Sequence, residues 1–290
     1  MNRTTKDEAE TPYFSIVTPS YNYGCYIRDC IESVLAQEGV TYEHLIQDGG
    51  SNDDTLSILA EYPHLSVVSE PDSGMSEAIN KGFRRARGKW VMWLNTDDVL
   101  LPGALKSVHD FLEAGREELD VAYGGWKDVD ANLQTIRETK AFPFDARMLA
   151  MYACYIASTA LLMRRETTID QGLLLDESFR YAMDVEFYCR LAAAGKKFAP
   201  VPACLALFRL HGDNLSSARS NDESVKAELI RQRQVAEDET IRRIYGVNLF
   251  KGRIGTRVQD TVLYVYYKWK RSWWKRCSRW KMRKYPSSGA

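Results

Sequence analysis

The chain has 290 residues, 45% hydrophobic and 27% charged, with 39 Lys and Arg against 39 Asp and Glu. That length carries a sizeable core, as one large domain with an appendage or as two domains, and the composition is globular rather than disordered or fibrous. No run reaches the ~18 apolar residues that a membrane-spanning helix needs.

The first residues, Met1 to Thr11, are polar and lack the apolar core of a signal peptide, so 1–12 read as a frayed lead-in. Phe14 to Thr18 is a strand closed by Pro19, and the turn-rich loop Ser20 to Gly24 follows. Ile27, Ile31, Val34 and Leu35 then recur at helical spacing over Tyr26 to Gln37. His44 to Gln47 is a second strand, and Asp48 to Asp54 is a loop dense in Gly and carboxylates. Thr55 to Glu61 is a helix and Leu65 to Ser69 a third strand. Met75 to Arg87 is a helix, with Gly88 as its C-cap.

Trp90 to Leu94 is short, unalternating and rich in β-formers, the pattern of a strand buried on both faces. It runs into Asn95-Thr96-Asp97-Asp98, and Pro102 is placed as the first residue of the next helix. Alternating strands and helices imply a mainly parallel sheet, with Pro19 to Asn22, Asp48 to Asp53 and Asn95 to Asp98 at one edge. That edge is where open α/β sheets bind ligands. Two adjacent carboxylates repel unless a cation or donors offset them, although a plain turn with Asp98 capping a helix also accommodates them.

Beyond Gly115, Val121 to Trp126 reads as a strand, Asp128 to Asn132 as a turn and Gln134 to Thr139 as the partner strand. Ala157 to Arg164 is an apolar strand, Val185 to Ala194 a helix, and Lys197 to Phe208 contains further strands. Asn221 to Tyr245 is a long charged helix. In the last predicted helix, Thr261 to Lys284, Val262, Tyr266, Trp269, Trp273, Cys277 and Trp280 share one face, with Lys268, Arg271, Lys275 and Arg279 opposite. From Lys251 onward twelve Lys or Arg face one acid, Asp260, which points to an acidic partner for the tail. The six cysteines form no CxxC pair and have no histidine at zinc spacing, so free thiols in a reducing compartment are expected.

Four stretches in this order resemble the glycosyltransferases of family 2. They are Thr18-Pro19-Ser20-Tyr21-Asn22, Gln47-Asp48-Gly49-Gly50-Ser51-Asn52-Asp53, Asn80-Lys81-Gly82 and Leu94-Asn95-Thr96-Asp97-Asp98. The resemblance implies a GT-A fold over 13–216 and inverting transfer from a nucleotide-sugar, commonly a UDP-sugar, and the helices read above make 217–290 a helical C-terminal region. It implies donor contacts from Pro19, Tyr21, Asn22, Asp48, Gly49, Ser51, Asp53, Asn80, Lys81, Asn95 and Asp97. It also implies a divalent cation, Mn2+ or Mg2+, at Asp97 and Asp98, with His211 as a further ligand, and Asp184 as general base. Many family members carry Asp where this chain has Asn95, and Glu before the base where it has Met183.

Each assignment has a plainer alternative: Asp48 as a self-satisfied turn residue, Asp53 and Asp184 as helix caps, His211 as a polar loop residue, Trp126 as packing rather than a sugar platform. Arg209 is placed to pair with phosphate. The expected acceptor is a glycan or a lipid-linked glycan of a cell-surface polysaccharide, with the protein cytoplasmic and its basic, Trp-rich helix resting on an anionic membrane. The competing classes are a nucleotidyltransferase, for which the Pro19 to Gly24 loop lacks a basic residue, and a nucleic-acid binder acting through the tail. No nucleic acid is expected as a partner.

Overall fold

The computed structural model describes residues 11–151, 154–211, 214, 225–246, 265, 266 and 269. A nine-stranded sheet runs in the order β3-β2-β1-β4-β8-β6-β9-β5, with β7 paired to β6. The strands are β1 (Phe14–Ser20), β2 (Tyr42–Asp48), β3 (Ser66–Ser69), β4 (Trp90–Trp93), β5 (Val99–Leu100), β6 (Val121–Val129), β7 (Thr135–Thr139), β8 (Leu161–Arg164) and β9 (Phe198–Arg209). The first four are mutually parallel. β8 then runs antiparallel between β4 and β6, while β9 is parallel to β6 and antiparallel to β5. The parallel half is the one built from helical crossovers, α1 (Gly24–Leu35), α2 (Thr55–Leu59) and α3 (Met75–Arg85).

The unalternating run of β4 has a direct cause. Trp90, Met92 and Leu94 face one core with α1 and α4 (Ala104–Glu113). Val91 and Trp93 face the other, with α3, α5 (Ala146–Met151) and α6 (Met183–Ala193). Neither side meets water, so both carry apolar residues.

Several expected boundaries move. The helix before β4 stops at Arg85, and Gly88 is not its left-handed cap. A Cβ on Gly88 would lie 2.5 Å from Ser15 N and 2.6 Å from Phe14 C, so close packing on β1 requires glycine there. Pro102 stands outside α4, which follows Gly103 in the left-handed region at φ 70°. Ala157 to Arg164 is divided between a 3-10 turn at Ser158–Ala160 and β8. Asp128 belongs to β6 rather than to a turn; it is buried and accepts bonds from Trp126 Nε1 at 2.9 Å and Arg137 Nε at 2.7 Å. Trp126 is thereby a packing residue of the core.

The long charged helix is α7 (Val225–Tyr245). Gln234, Glu237 and Ile241 form its buried stripe, against α5 and α6. The predicted helix Thr261 to Lys284 lies outside the described residues except at 265, 266 and 269. Five cysteines are described, all free; Cys30 and Cys189 are buried, whereas Cys25 and Cys154 are exposed.

Candidate active site

Register brings the strand ends together. Ser20 pairs with Asp48, and Val17 with Trp93, so β1, β2 and β4 release their C-terminal loops side by side. The loops are then tied to one another. Thr96 donates its hydroxyl to the Pro19 carbonyl, and Gly49 N–H donates to Ser20 O at 2.8 Å. A cleft of about 760 Å³ opens over this edge and extends to the start of α6. Of the predicted residues it is lined by Pro19, Tyr21, Gly49, Asn95, Asp97 and Asp184.

The other predicted donor residues build the loops from beneath and do not line the cleft. Asp48 is fully buried, and its carboxylate accepts bonds from Gly50 N, Ser51 N, Ser51 Oγ and Ser69 Oγ. Its oxygens hold the turn, so direct contact with a base is not how it acts in this geometry. Asn22, at φ 55°, donates its N–H to Ser51 Oγ and accepts from Asn52 N, both at 2.8 Å. Asp53 accepts from Gly24 N and Thr55 N at 3.0 Å, which makes it both a loop tie and a helix-start residue. Asn80 is buried and clamps the backbone of Leu175, through both its amide nitrogen and its oxygen. Lys81 bridges Glu70 and Glu77 at 3.0 Å and donates to Pro71 O.

The two adjacent aspartates have separate fates. Asp97 faces the cleft, and its Oδ2 meets His211 Nε2 and Asn214 Nδ2, each at 2.9 Å. Asp98 turns inward, accepting from Arg209 N at 3.0 Å and Asn95 Nδ2 at 3.1 Å. Burial, and next the charge of Asp97, push the Asp98 carboxyl well above its ordinary range. That placement leaves Asp97, rather than Asp98, facing the cleft. The expectation for Arg209 is corrected. Its guanidinium is buried and committed to Asp97 O, Ala131 O and Asp29 Oδ2, so it braces this corner instead of waiting for phosphate.

Asp97 and His211 suit a hard or borderline cation. Neighbouring ligands of an octahedral ion with bonds of about 2.1 Å lie about 3 Å apart, close to the 2.9 Å between Oδ2 and Nε2. Among the described residues no three His, Cys, Asp or Glu gather into a metal cage. Two protein ligands completed by substrate phosphates is the pattern Mg2+ and Mn2+ adopt at phosphate-transfer sites.

Asp184 sits in the first turn of α6, one residue past the helix start, where a carboxylate also offsets the unpaired N–H groups of the helix. It accepts from Val185 N at 2.8 Å and lies 3.7 Å from Cys154 Sγ. Glu186 points elsewhere, to Arg190 and Tyr245.

Sequence reading missed Asp72, Arg180 and Arg233, all on the cleft wall. Asp72 Oδ2 occupies the space beside Gly49, where a Cβ would lie 2.6 Å from it. Burial raises its carboxyl pKa. The available signal was Pro71-Asp72-Ser73-Gly74, a turn sequence just ahead of α3.

Residues 15–172 match the model of glycosyl transferase family 2. Chondroitin synthase of Escherichia coli is 30% identical over 211 residues, 71% of this chain but 30% of that protein. TuaG of Bacillus subtilis (strain 168), a glycosyltransferase assigned to teichuronic acid biosynthesis, is 28% identical over 71% of this chain and 82% of its own length. The chain spans 30% or less of the chondroitin and hyaluronan synthases it matches. Among solved structures, S. aureus TarS 1-349 with UDP-GlcNAc superposes with a TM-score of 0.58 at 17% identity, over 85% of this chain and 77% of that one. Mannosyltransferase PcManGT from Pyrobaculum calidifontis, with GDP-Man and Mn2+, gives 0.55 at 13% identity, over 92% and 84%. With its motifs gathered at one sheet edge and more than half of its length matching the family model, the chain belongs to glycosyl transferase family 2 and has the GT-A fold.

Proposed function

We propose that this enzyme transfers a sugar from a UDP-sugar to a hydroxyl of a glycan or lipid-linked acceptor, with inversion, in the assembly of a surface polysaccharide. The observation that carries it is a single cleft lined by Asp97 at the end of β4 and by Asp184 at the start of α6. Tyr21, which is 58% exposed, offers the nucleotide a flat side chain, and Gly49 lines the cleft beside it. Asp97 and His211 would hold the Mn2+ or Mg2+, which when bound offsets charge on the departing diphosphate. Asp184 takes the proton of the acceptor hydroxyl as the new C–O bond forms and the sugar–phosphate bond breaks. The polysaccharide setting is supported by TuaG and the chondroitin synthases, and the nucleotide by TarS. Residues 13–216 make up the transferase unit in this reading, and 217–290 a helical region.

The test is release of UDP from a panel of UDP-sugars with Mn2+, water serving as acceptor. Asp184→Asn should slow release on the order of 10²–10⁴-fold while binding of UDP and Mn2+ persists. An unchanged rate removes Asp184 from the mechanism.

We also propose that the basic C-terminal segment lies on an anionic membrane at the cytoplasmic face. Val265, Tyr266 and Trp269 are exposed at 59%, 38% and 61%. Among the described residues no helix is long and apolar enough to cross a membrane. The full chain should pellet with anionic liposomes at low salt, and a chain ending at Gly255 should not. A full chain that stays in the supernatant refutes the reading.

A further inference from the structure

We propose that Glu237, on α7, is the positioning residue that sets Asp184 in the cleft. The inference rests on Asp184 as the base. Three consecutive backbone N–H groups lead into α6, those of Arg180, Tyr181 and Ala182. All three donate to the Glu237 carboxylate, at 3.0, 2.8 and 2.9 Å. Ala182 is the residue immediately before α6, which has no side-chain cap of its own. A helix start leaves N–H groups unsatisfied and carries positive partial charge, and a carboxylate answers both. Here the carboxylate comes from another helix.

The carboxylate is itself held. Glu237 is buried, 7% exposed, and Arg233 Nε reaches its Oε1 at 3.2 Å. Ile241, one turn on, is 1% exposed and seats α7 on the body. The clasped loop carries function on its outer side. Arg180, Tyr181 and Asp184 line the cleft, and Arg233 lines it from α7. Charge-assisted bonds to three successive amides leave that loop little freedom of rotation or shift. A base must stay within hydrogen-bond reach of the hydroxyl it serves, and misplacement by about 1 Å costs on the order of 10²-fold in rate. α7 lies outside the family-model match, which ends at 172, so this control is an addition to the matched part of the chain.

The experiment compares Glu237→Ala, Glu237→Gln and Asp184→Asn in the full chain. UDP release from a UDP-sugar with Mn2+ gives kcat and donor KM, the thermal shift with UDP and Mn2+ reports the donor site, and amide exchange reads the peptide over 179–184. We expect Glu237→Ala to lower kcat on the order of 10²-fold, with donor KM and the UDP shift within about 2-fold. Exchange over 179–184 should accelerate. Glu237→Gln, which keeps one oxygen acceptor, should recover about 10-fold or more of the loss. Glu237→Ala with kcat within about 2-fold of wild type, while Asp184→Asn is inactive, overturns the positioning role and leaves the base assignment standing. Loss of the UDP shift together with kcat overturns it as well, because the effect is then general unfolding. A fully active Asp184→Asn overturns the reading of the base itself.

Discussion

Asp97→Asn removes one negative charge from the cleft and little else. In the protein as it stands, Asp97 Oδ2 meets Asn214 Nδ2 and His211 Nε2 at 2.9 Å. An Asn amide turned to present its oxygen keeps both contacts, so the resting fold should lose about 1 kcal/mol or less. The ligand-dependent part behaves differently. UDP with Mn2+ at ~100 times the dissociation constant stabilises the wild type by about 2.7 kcal/mol. At about 2–4 °C per kcal/mol for a chain of this size, that is a rise in Tm of roughly 5–10 °C. Without the Asp97 charge, only His211 remains of the proposed ligand pair, and the Mn2+-dependent increment should fall to near zero. Asp98→Asn is the contrast. Asp98 is buried, and its oxygens are taken by Arg209 N–H and the Asn95 amide. Its substitution should lower basal Tm and leave the Mn2+-dependent increment in place. Thermal scans with buffer, UDP, Mn2+ and both together separate the terms. A full increment in Asp97→Asn, or its loss in Asp98→Asn alone, refutes the placement of the metal at Asp97.

Two further predictions concern the fold. His44 is buried against Thr18, 2.9 Å from its hydroxyl, and burial, followed by the His64 charge, lowers its pKa to about 3. Above the unfolded pKa of about 6.5 both states are neutral and its stabilising contribution is complete; as pH falls from there toward about 3, only the unfolded chain takes the proton, and stability drops by up to ~1.4 kcal/mol per pH unit. Urea unfolding at several pH values should show this slope flattened in His44→Gln; an equally steep mutant removes His44 as its source. Gly88→Ala puts a methyl 2.5 Å from Ser15 N, against backbone that has no rotamer to change. It should cost about 1–3 kcal/mol in urea unfolding, as overpacking does, and a neutral result would show that β1 gives way more easily than its packing implies.

The sequence showed the donor half well because its signals are local. The apolar runs of β1, β2 and β4, the Gly and Asp loops after them and the helical spacing of α1 all lie within windows of a few residues. What it could not show is which side of a loop a carboxylate faces. Asp48, Asp97 and Asp98 have the same side chain at the ends of neighbouring strands. Local bonds to Gly50 and Ser51 make the first a loop tie, whereas tertiary placement makes the second a cleft residue and the third a buried acceptor. Asn80 and Lys81 likewise belong to a motif read as donor-binding, yet their partners are Leu175 and the acids Glu70 and Glu77. Gly88 reads as a C-cap in the sequence because a C-cap and a close strand approach both call for glycine, and only the backbone separates them.

The acceptor half was harder for a related reason. A carboxylate that binds backbone N–H groups places no demand on the identity of the residues it holds. Arg180, Tyr181 and Ala182 therefore carry no mark in sequence of their contact with Glu237, more than 50 positions away. The same property gives the arrangement a use. Side chains at 180 and 181 can change with the acceptor while the backbone that carries Asp184 stays fixed, because the clasp does not touch them. Asp184, Arg180 and Arg233 all lie beyond residue 172, where the family match ends, whereas Asp97 and the donor loops lie within it. The residues proposed for acceptor activation thus lie outside the family match, and α7 holds the backbone that carries Asp184.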